Sequence, residues 1–230
     1  MSDDSPIRRR WFQFSLRRLF VVSLLVGLGF AWIGMQLHQK RRHEAAVNEI
    51  VKLGGRVGLY HVQEEVPAWK EWLFGSYSVK PVFLILCGTD ATDSLLSQNK
   101  GMNVITLDLS STNVTDAGLV HLIGMTRLKT LLLENAQVTD AGLTHLKGLT
   151  SLHKLTLDSA QVTDAGLTHL KGLTSLNYLD LRNTQITDAG LTHLKGLTNL
   201  DSLILINTHV TQAGVDRLRQ AIPRCVIYKP

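Results

Sequence analysis

Apolar and polar positions along this chain follow two different rules. Residues 19–35 (LFVVSLLVGLGFAWIGM) run seventeen positions without a charge, and Leu37 extends the run past Gln36. From residue 114 onward, single leucines recur among polar residues with a period of 24: VTDAGLVHLIGMTRLKTLLLENAQ, VTDAGLTHLKGLTSLHKLTLDSAQ, VTDAGLTHLKGLTSLNYLDLRNTQ and ITDAGLTHLKGLTNLDSLILINTH. Residues 138–152 and 162–176 are identical, which chance does not produce. Degenerate units precede these copies, marked by Leu107, Leu109 and Thr112 and by Leu84, Leu86 and Thr89, and a divergent copy follows from Val210.

Each unit predicts one strand and one short helix. In the LTL of residues 155–157, alternation puts the two leucines on one face and Thr156 on the other. In the TD that follows, Thr139 or Asp140 is placed to cap a helix, and Gly148 to end it. Leu143, Leu146 and Leu149 then form a narrow apolar stripe, with Gly142 beside it to allow close approach to the strand. One unit alone cannot bury its leucines, so neighbours must stack, with strands about 4.8 Å apart in one parallel sheet. The expected fold is an α/β right-handed solenoid with the sheet on its concave side. A helix ending at Gly54 and Gly55 and a strand over residues 56–61 are expected to cap one end. At the other end Pro223 breaks the last helix and residues 225–228 form a closing strand.

At 1.5 Å per residue, the uncharged run is at the short end of what crosses a bilayer. Arg8, Arg9, Arg10, Arg17 and Arg18 precede it, Lys40, Arg41 and Arg42 follow it, and Trp11 and Trp32 are suited to the interfaces. Five positive charges against three predict a cytoplasmic N-terminus and an extracytoplasmic repeat region. A cleaved signal peptide is disfavoured because no small-x-small site with a polar tail follows the run; a buried core helix is the other alternative. The expected layout is a basic tail (1–18), a transmembrane helix acting as signal-anchor (19–37), a juxtamembrane segment and cap (38–80) and the solenoid (81–230).

Charge sharpens this picture. Of the net +5, residues 1–43 hold eight Lys/Arg against two Asp, while residues 101–230 hold eleven against ten acids. The basic excess flanks the apolar run, so no nucleic-acid groove is implied. Cys87 and Cys225 belong to the first clear strand and the last, several strand spacings apart, and are expected to stay unpaired.

The pattern L-x-x-L-x-L-x-x-T-x-V matches the leucine-rich-repeat signature. With its [VI]-TDAGL-x-HL-x-G-[LM]-T-x-L, the chain resembles the RNI-like leucine-rich repeats of F-box-type and many bacterial proteins. Residues 8–230 are further similar to membrane-anchored leucine-rich-repeat proteins of planctomycetes, which share the FSLRRLF-type entry (here residues 14–20) and the Gly-Gly cap. The resemblance implies architecture only, and no F-box segment is present. The family's usual Asn or Cys after the strand is replaced by Thr112, Ala136, Ala160, Thr184 and Thr208, with Asn135, Asn183 and Asn207 one residue earlier.

Strand residues flanking the core leucines should face the concave side in three columns: Phe83, Thr106, Thr130, Lys154, Tyr178, Ser202; Ile85, Asp108, Leu132, Thr156, Asp180, Ile204; and Cys87, Ser110, Glu134, Asp158, Arg182, Ile206. Among these, Glu134, Lys154, Asp158, Tyr178, Asp180 and Arg182 form a mixed-charge patch around one aromatic, the expected site for a protein or peptide partner. His121, His145, His169 and His193 form a column on the helix flank, without carboxylates at matching positions to complete a metal site. Lys147, Lys171 and Lys195 form a basic ridge beside it. No nucleophile beside a base, paired carboxylates or phosphate loop stands outside the repeat, so no catalytic residue, cofactor or metal is expected. The reading is a binding module and not an enzyme. A self-associating envelope component is the alternative, and a metal-dependent enzyme using the histidine column is a third.

Overall fold

The computed structural model describes residues 16–59, 67–74, 82–99 and 102–229; the side chains of residues 16–23, 25, 26, 29, 36, 39, 59, 73 and 74 lie outside it. Helix α1 (Leu16–Lys52) is followed by strand β1 (Arg56–Leu59) and helix α2 (Ala68–Phe74). Strands β2 (Val82–Ile85), β3 (Val104–Asp108), β4 (Thr130–Leu132), β5 (Lys154–Thr156), β6 (Tyr178–Asp180), β7 (Ser202–Ile204) and β8 (Val226–Tyr228) then alternate with helices. These are α3 (Asp93–Gln98), α4 (Asp116–Leu119), α5 (Asp140–Leu143), α6 (Asp164–Leu167), α7 (Asp188–Leu191) and α8 (Gln212–Ala221).

The strands form one sheet in chain order, β1 antiparallel to β2 and every later pair parallel. Leu107, Leu131, Leu155, Leu179 and Leu203 fall in one row that ends on Ile227. All six side chains are buried, so the 24-residue period delivers the same leucine to the same depth in each copy. The helical half obeys a period of three: α5 passes directly into a 3-10 turn over Thr144–Leu146. With three residues per turn, Leu143, Leu146 and Leu149 stay on one side, and all are fully buried.

Gly148 follows the cap of the 3-10 turn that ends at Leu146, as expected of a helix stop. The left-handed conformation is taken among non-glycine residues by Ser111, Asn135, Ser159, Asn183 and Asn207, with φ of 53 to 60° where the chain leaves the strand. Asn tolerates this region better than most side chains, so the asparagines serve the turn itself. Next to them, Thr112, Thr184 and Thr208 donate their hydroxyls to the carbonyls of Leu109, Leu181 and Leu205, a bond that Ala136 and Ala160 cannot make.

Two local expectations are corrected, the first at the TD pair. Threonine is the cap: Thr139 Oγ1 accepts from Ala141 N at 3.2 Å. The aspartate does not cap its own helix but reaches the next repeat. Asp140 Oδ1 accepts from Thr163 N at 2.8 Å and Asp140 Oδ2 from the Thr163 hydroxyl at 2.6 Å. The same two bonds join Asp93 to Thr115, Asp116 to Thr139, Asp164 to Thr187 and Asp188 to Thr211. Each threonine hydroxyl thus donates to one repeat's carboxylate while accepting from its own helix.

The glycine of TDAG completes this ladder, which is the second correction. A Cβ at Gly142 or Gly166 would land on the carboxylate of Asp116 or Asp140. The glycine makes room for the preceding repeat's aspartate, not for the strand.

Hydrogen bonds from the hydroxyl and then the backbone N–H of Thr211 hold the Asp188 carboxyl below its ordinary value of 3.8. A depressed folded-state value contributes stability that is present above the unfolded value and lost as pH falls through the folded one. Wild-type protein should therefore lose more stability than Asp188→Asn between about pH 4 and pH 2. Parallel acid-unfolding curves for the two proteins would contradict the ladder.

At the N-terminal end α1 carries the cap, with Ala46 and Ile50 buried in the solenoid core. Gly54 has φ of 82°, and a Cβ on Gly55 would sit 2.8 Å from both Ile50 and Leu86. The turn therefore needs both glycines. The helix runs unbroken past residue 38, since residues 38–52 contain no Gly or Pro and are rich in Lys, Arg, Glu and Ala. The capping strand is observed over Arg56–Leu59, and residues 60 and 61 of its expected extent lie outside the described residues. Among the described residues no helix is long and apolar enough to cross a membrane. The transmembrane helix expected over 19–37 is therefore not supported by the fold; nine of those nineteen side chains lie outside the described residues.

Candidate functional site

The sheet face turned away from the leucine core is the surface expected to bind. Register places Thr130, Lys154, Tyr178 and Ser202 side by side, and next to them Leu132, Thr156, Asp180 and Ile204. Both columns follow the expected order. Strand β8 extends them with Val226 and Tyr228, each about half exposed.

Two bonded groups occupy the middle of this face. Lys154 Nζ lies 4.7 Å from the centroid of the Tyr178 ring, close enough for a cation–π contact, which adds to any side-chain packing. Burial and the nearby Asp180 carboxylate raise the Tyr178 phenol above its ordinary value, so it remains a neutral hydrogen-bonding group. The second group centres on Asp180, which is 0% exposed. Its carboxylate accepts from Arg182 Nε at 3.0 Å on each oxygen, from Arg182 Nη2 at 2.7 Å and from the Arg182 backbone N at 3.1 Å. The hydrogen bonding of the guanidinium to Asp180 is the main reason Arg182 stands above its ordinary value.

Arg182 reaches on to Asp158, 3.7 Å away. Asp158 also accepts from Ser159 Oγ at 2.9 Å and Asn183 Nδ2 at 2.6 Å, and Asn207 Nδ2 donates to Asn183 Oδ1 at 2.9 Å. Of the six residues expected at the site, Glu134, Lys154, Asp158, Tyr178 and Arg182 are half-buried on this face. Asp180 is a correction: sealed beneath Arg182, it cannot offer its carboxylate to a partner and instead holds the guanidinium in place. Burial is a tertiary effect: Asp108, three strands away in the same column, is half-buried where Asp180 is closed off from solvent.

Other candidate chemistry does not converge. Among the described residues no three His, Cys, Asp or Glu side chains stand close enough to hold a metal ion. Burial and then the Lys147 ammonium keep His169 below its ordinary value. Both cysteines are free thiols, Cys87 exposed and Cys225 buried; burial pushes Cys225 up to about 11. Desolvation, with Asp108 and Glu134 behind it, raises Cys87 as well, so neither is an activated nucleophile. A cleft of about 320 Å³ lies between α7 and α8, lined among others by Asp188, Lys195 and Arg217. The Arg217 to Asp188 ion pair at 2.8 Å lies in it, and it holds no nucleophile and base pair.

A family model described as leucine-rich repeat matches residues 102–122 and 172–194. The chain carries leucine-rich repeats. An internalin from Listeria monocytogenes is similar in structure, at 27% identity over 58% of this chain and 36% of its own, with a TM-score of 0.50. Internalin C2 from the same organism shows 23% identity over 64% and 80%, with a TM-score of 0.48. A leucine-rich-repeat protein from Leptospira interrogans shows 21% over 58% and 33%, with a TM-score of 0.45. The chain thus spans about a third of the length of the first internalin. No curated protein matches it in sequence. Leucine-rich-repeat domains commonly bind proteins through one extended surface.

Proposed function

We propose that this leucine-rich-repeat protein is a membrane-tethered recognition module that holds a protein or peptide on the outward face of its sheet, centred on Tyr178. The observation that carries the reading is the pre-ordered patch: Tyr178 is backed by Lys154, and Arg182 is clamped by the buried Asp180. Holding an aromatic and an arginine in place before binding lowers the entropy lost on association, and these residue types dominate binding energy at interfaces. Ile206 and Tyr228 widen the exposed apolar surface around them.

The tether rests on the uncharged run of residues 19–35 and its basic flanks. Exposed Leu24, Leu28, Phe30, Met35 and Leu37 on α1 support it, since a helix apolar on several sides is matched to lipid. The charge bias across the run supports a cytoplasmic N-terminus with the repeats outside it.

Cross-linking from native membranes tests the recognition surface. Intact protein is compared with Lys154→Ala/Tyr178→Ala, whose fold is verified by circular dichroism, and with Lys171→Ala/Lys195→Ala on the opposite flank. A partner lost from the sheet variant and kept by the flank variant is the expected result. Equal partner profiles for all three would remove the sheet face from consideration, and cross-links only between copies of the chain would favour self-association.

A further inference from the structure

Helix α2 lies outside the repeats, and none of its described side chains is buried in the core. Its sequence is AWKEWLF, and Trp69 and Trp72, three residues apart on one helical face, are 58% and 61% exposed. Lys70 Nζ stands 5.6 Å from the Trp69 ring. Indole pairs a large apolar surface with one N–H donor, a combination favoured at the boundary between hydrocarbon and headgroups.

The position of α2 gives that preference a target. It packs against α1, along which exposed apolar residues run from Leu24 to Leu37. Arg41 and Arg42 are exposed directly after them, beside the half-buried Lys40. By helical rise these cations lie about 5–8 Å beyond Leu37, the depth of the headgroup layer outside the hydrocarbon. With Lys70 they match the negative phosphates found there.

We propose that α2 is an interfacial anchor: Trp69 and Trp72 seat at headgroup level in the phospholipid bilayer, with Arg41, Arg42 and Lys70 against lipid phosphates. This rests on the tether proposed above and adds a second membrane contact, which fixes how the solenoid stands on the bilayer instead of leaving it to swing about α1.

The test uses the full chain with Trp11→Phe and Trp32→Phe, leaving Trp69 and Trp72 as reporters, in vesicles of phosphatidylcholine and phosphatidylglycerol. Vesicle flotation with resistance to carbonate extraction is measured on the same samples. The expected result is co-flotation, a blue-shifted emission, protection from aqueous iodide, and loss of emission to lipids brominated near the headgroup more than to those brominated deep in the acyl chain. Emission that is quenched by iodide and untouched by bromolipids, in protein that still floats, overturns the anchor and leaves the tether standing. Protein that fails to float overturns both.

Discussion

Arg182→Ala should destabilise the solenoid by about 3 kcal/mol, the low end of what breaking one side of a buried ion pair costs. Asp180 is 0% exposed, and its oxygens face the guanidinium of Arg182 through three contacts of 2.7 to 3.0 Å. Removing the guanidinium leaves a desolvated carboxylate with the backbone N–H of residue 182 as its remaining bond in this group. The low end applies because the Arg182 side chain is 37% exposed, so water enters the space it vacates. Arg182→Lys should recover only part of the loss, since an ammonium cannot repeat the bidentate fork. Asp180→Asn added to Arg182→Ala should recover more, since it removes the stranded charge. Urea unfolding followed by circular dichroism measures all three. A loss below about 1 kcal/mol for Arg182→Ala, the level of an exposed surface pair, would mean that the clamp does not order the patch.

The ladder between repeats makes a second prediction, in which the sign of an effect reverses. Asp140→Ala deletes two bonds to a charged acceptor and should cost about 2–3 kcal/mol. Gly166 lies in helix α6, where alanine ordinarily stabilises by up to about 1 kcal/mol. Here the new methyl runs into Asp140 Oδ1, and that carboxylate is pinned by Thr163, so Gly166→Ala should destabilise by about 1–2 kcal/mol. In the Asp140→Ala background the carboxylate is gone, only the end of the Leu143 side chain at 3.0 Å remains to give way, and Gly166→Ala should become close to neutral. The double-mutant cycle then yields a coupling of about 1–2 kcal/mol between residues 26 positions apart. Additive effects within about 0.5 kcal/mol would show that the glycine serves something other than the aspartate of the preceding repeat.

Much of the leucine framework could be read from periodicity. A 24-residue repeat in which Leu131, Leu155, Leu179 and Leu203 recur has one economical burial, a stack in register, and the parallel pairing follows that register residue by residue. The surface columns were legible for the same reason, which is why Lys154 and Tyr178 were expected as neighbours before any contact was seen. Periodicity could not separate a cap from a cross-link. Thr139 and Asp140 both accept hydrogen bonds and both suit a helix start, and only the presence of Thr163 on the next turn of the solenoid decides that the aspartate points outward from its own helix. Burial was less legible at Asp180: its column holds Asp108, Leu132, Thr156 and Ile204, of which Thr156 alone is also buried, and the grip of Arg182 on the carboxylate exists only in the folded chain.

Composition and spacing thus determined the repeat, the register of its strands and the row of leucines beneath them, because a 24-residue period admits a single way to bury one apolar stripe per copy. The roles of the polar residues were settled only in three dimensions. Whether a carboxylate caps, cross-links, supports an arginine or faces solvent depends on which donors the neighbouring repeat brings within 3 Å, and that distance is a property of the packed stack and not of any one copy.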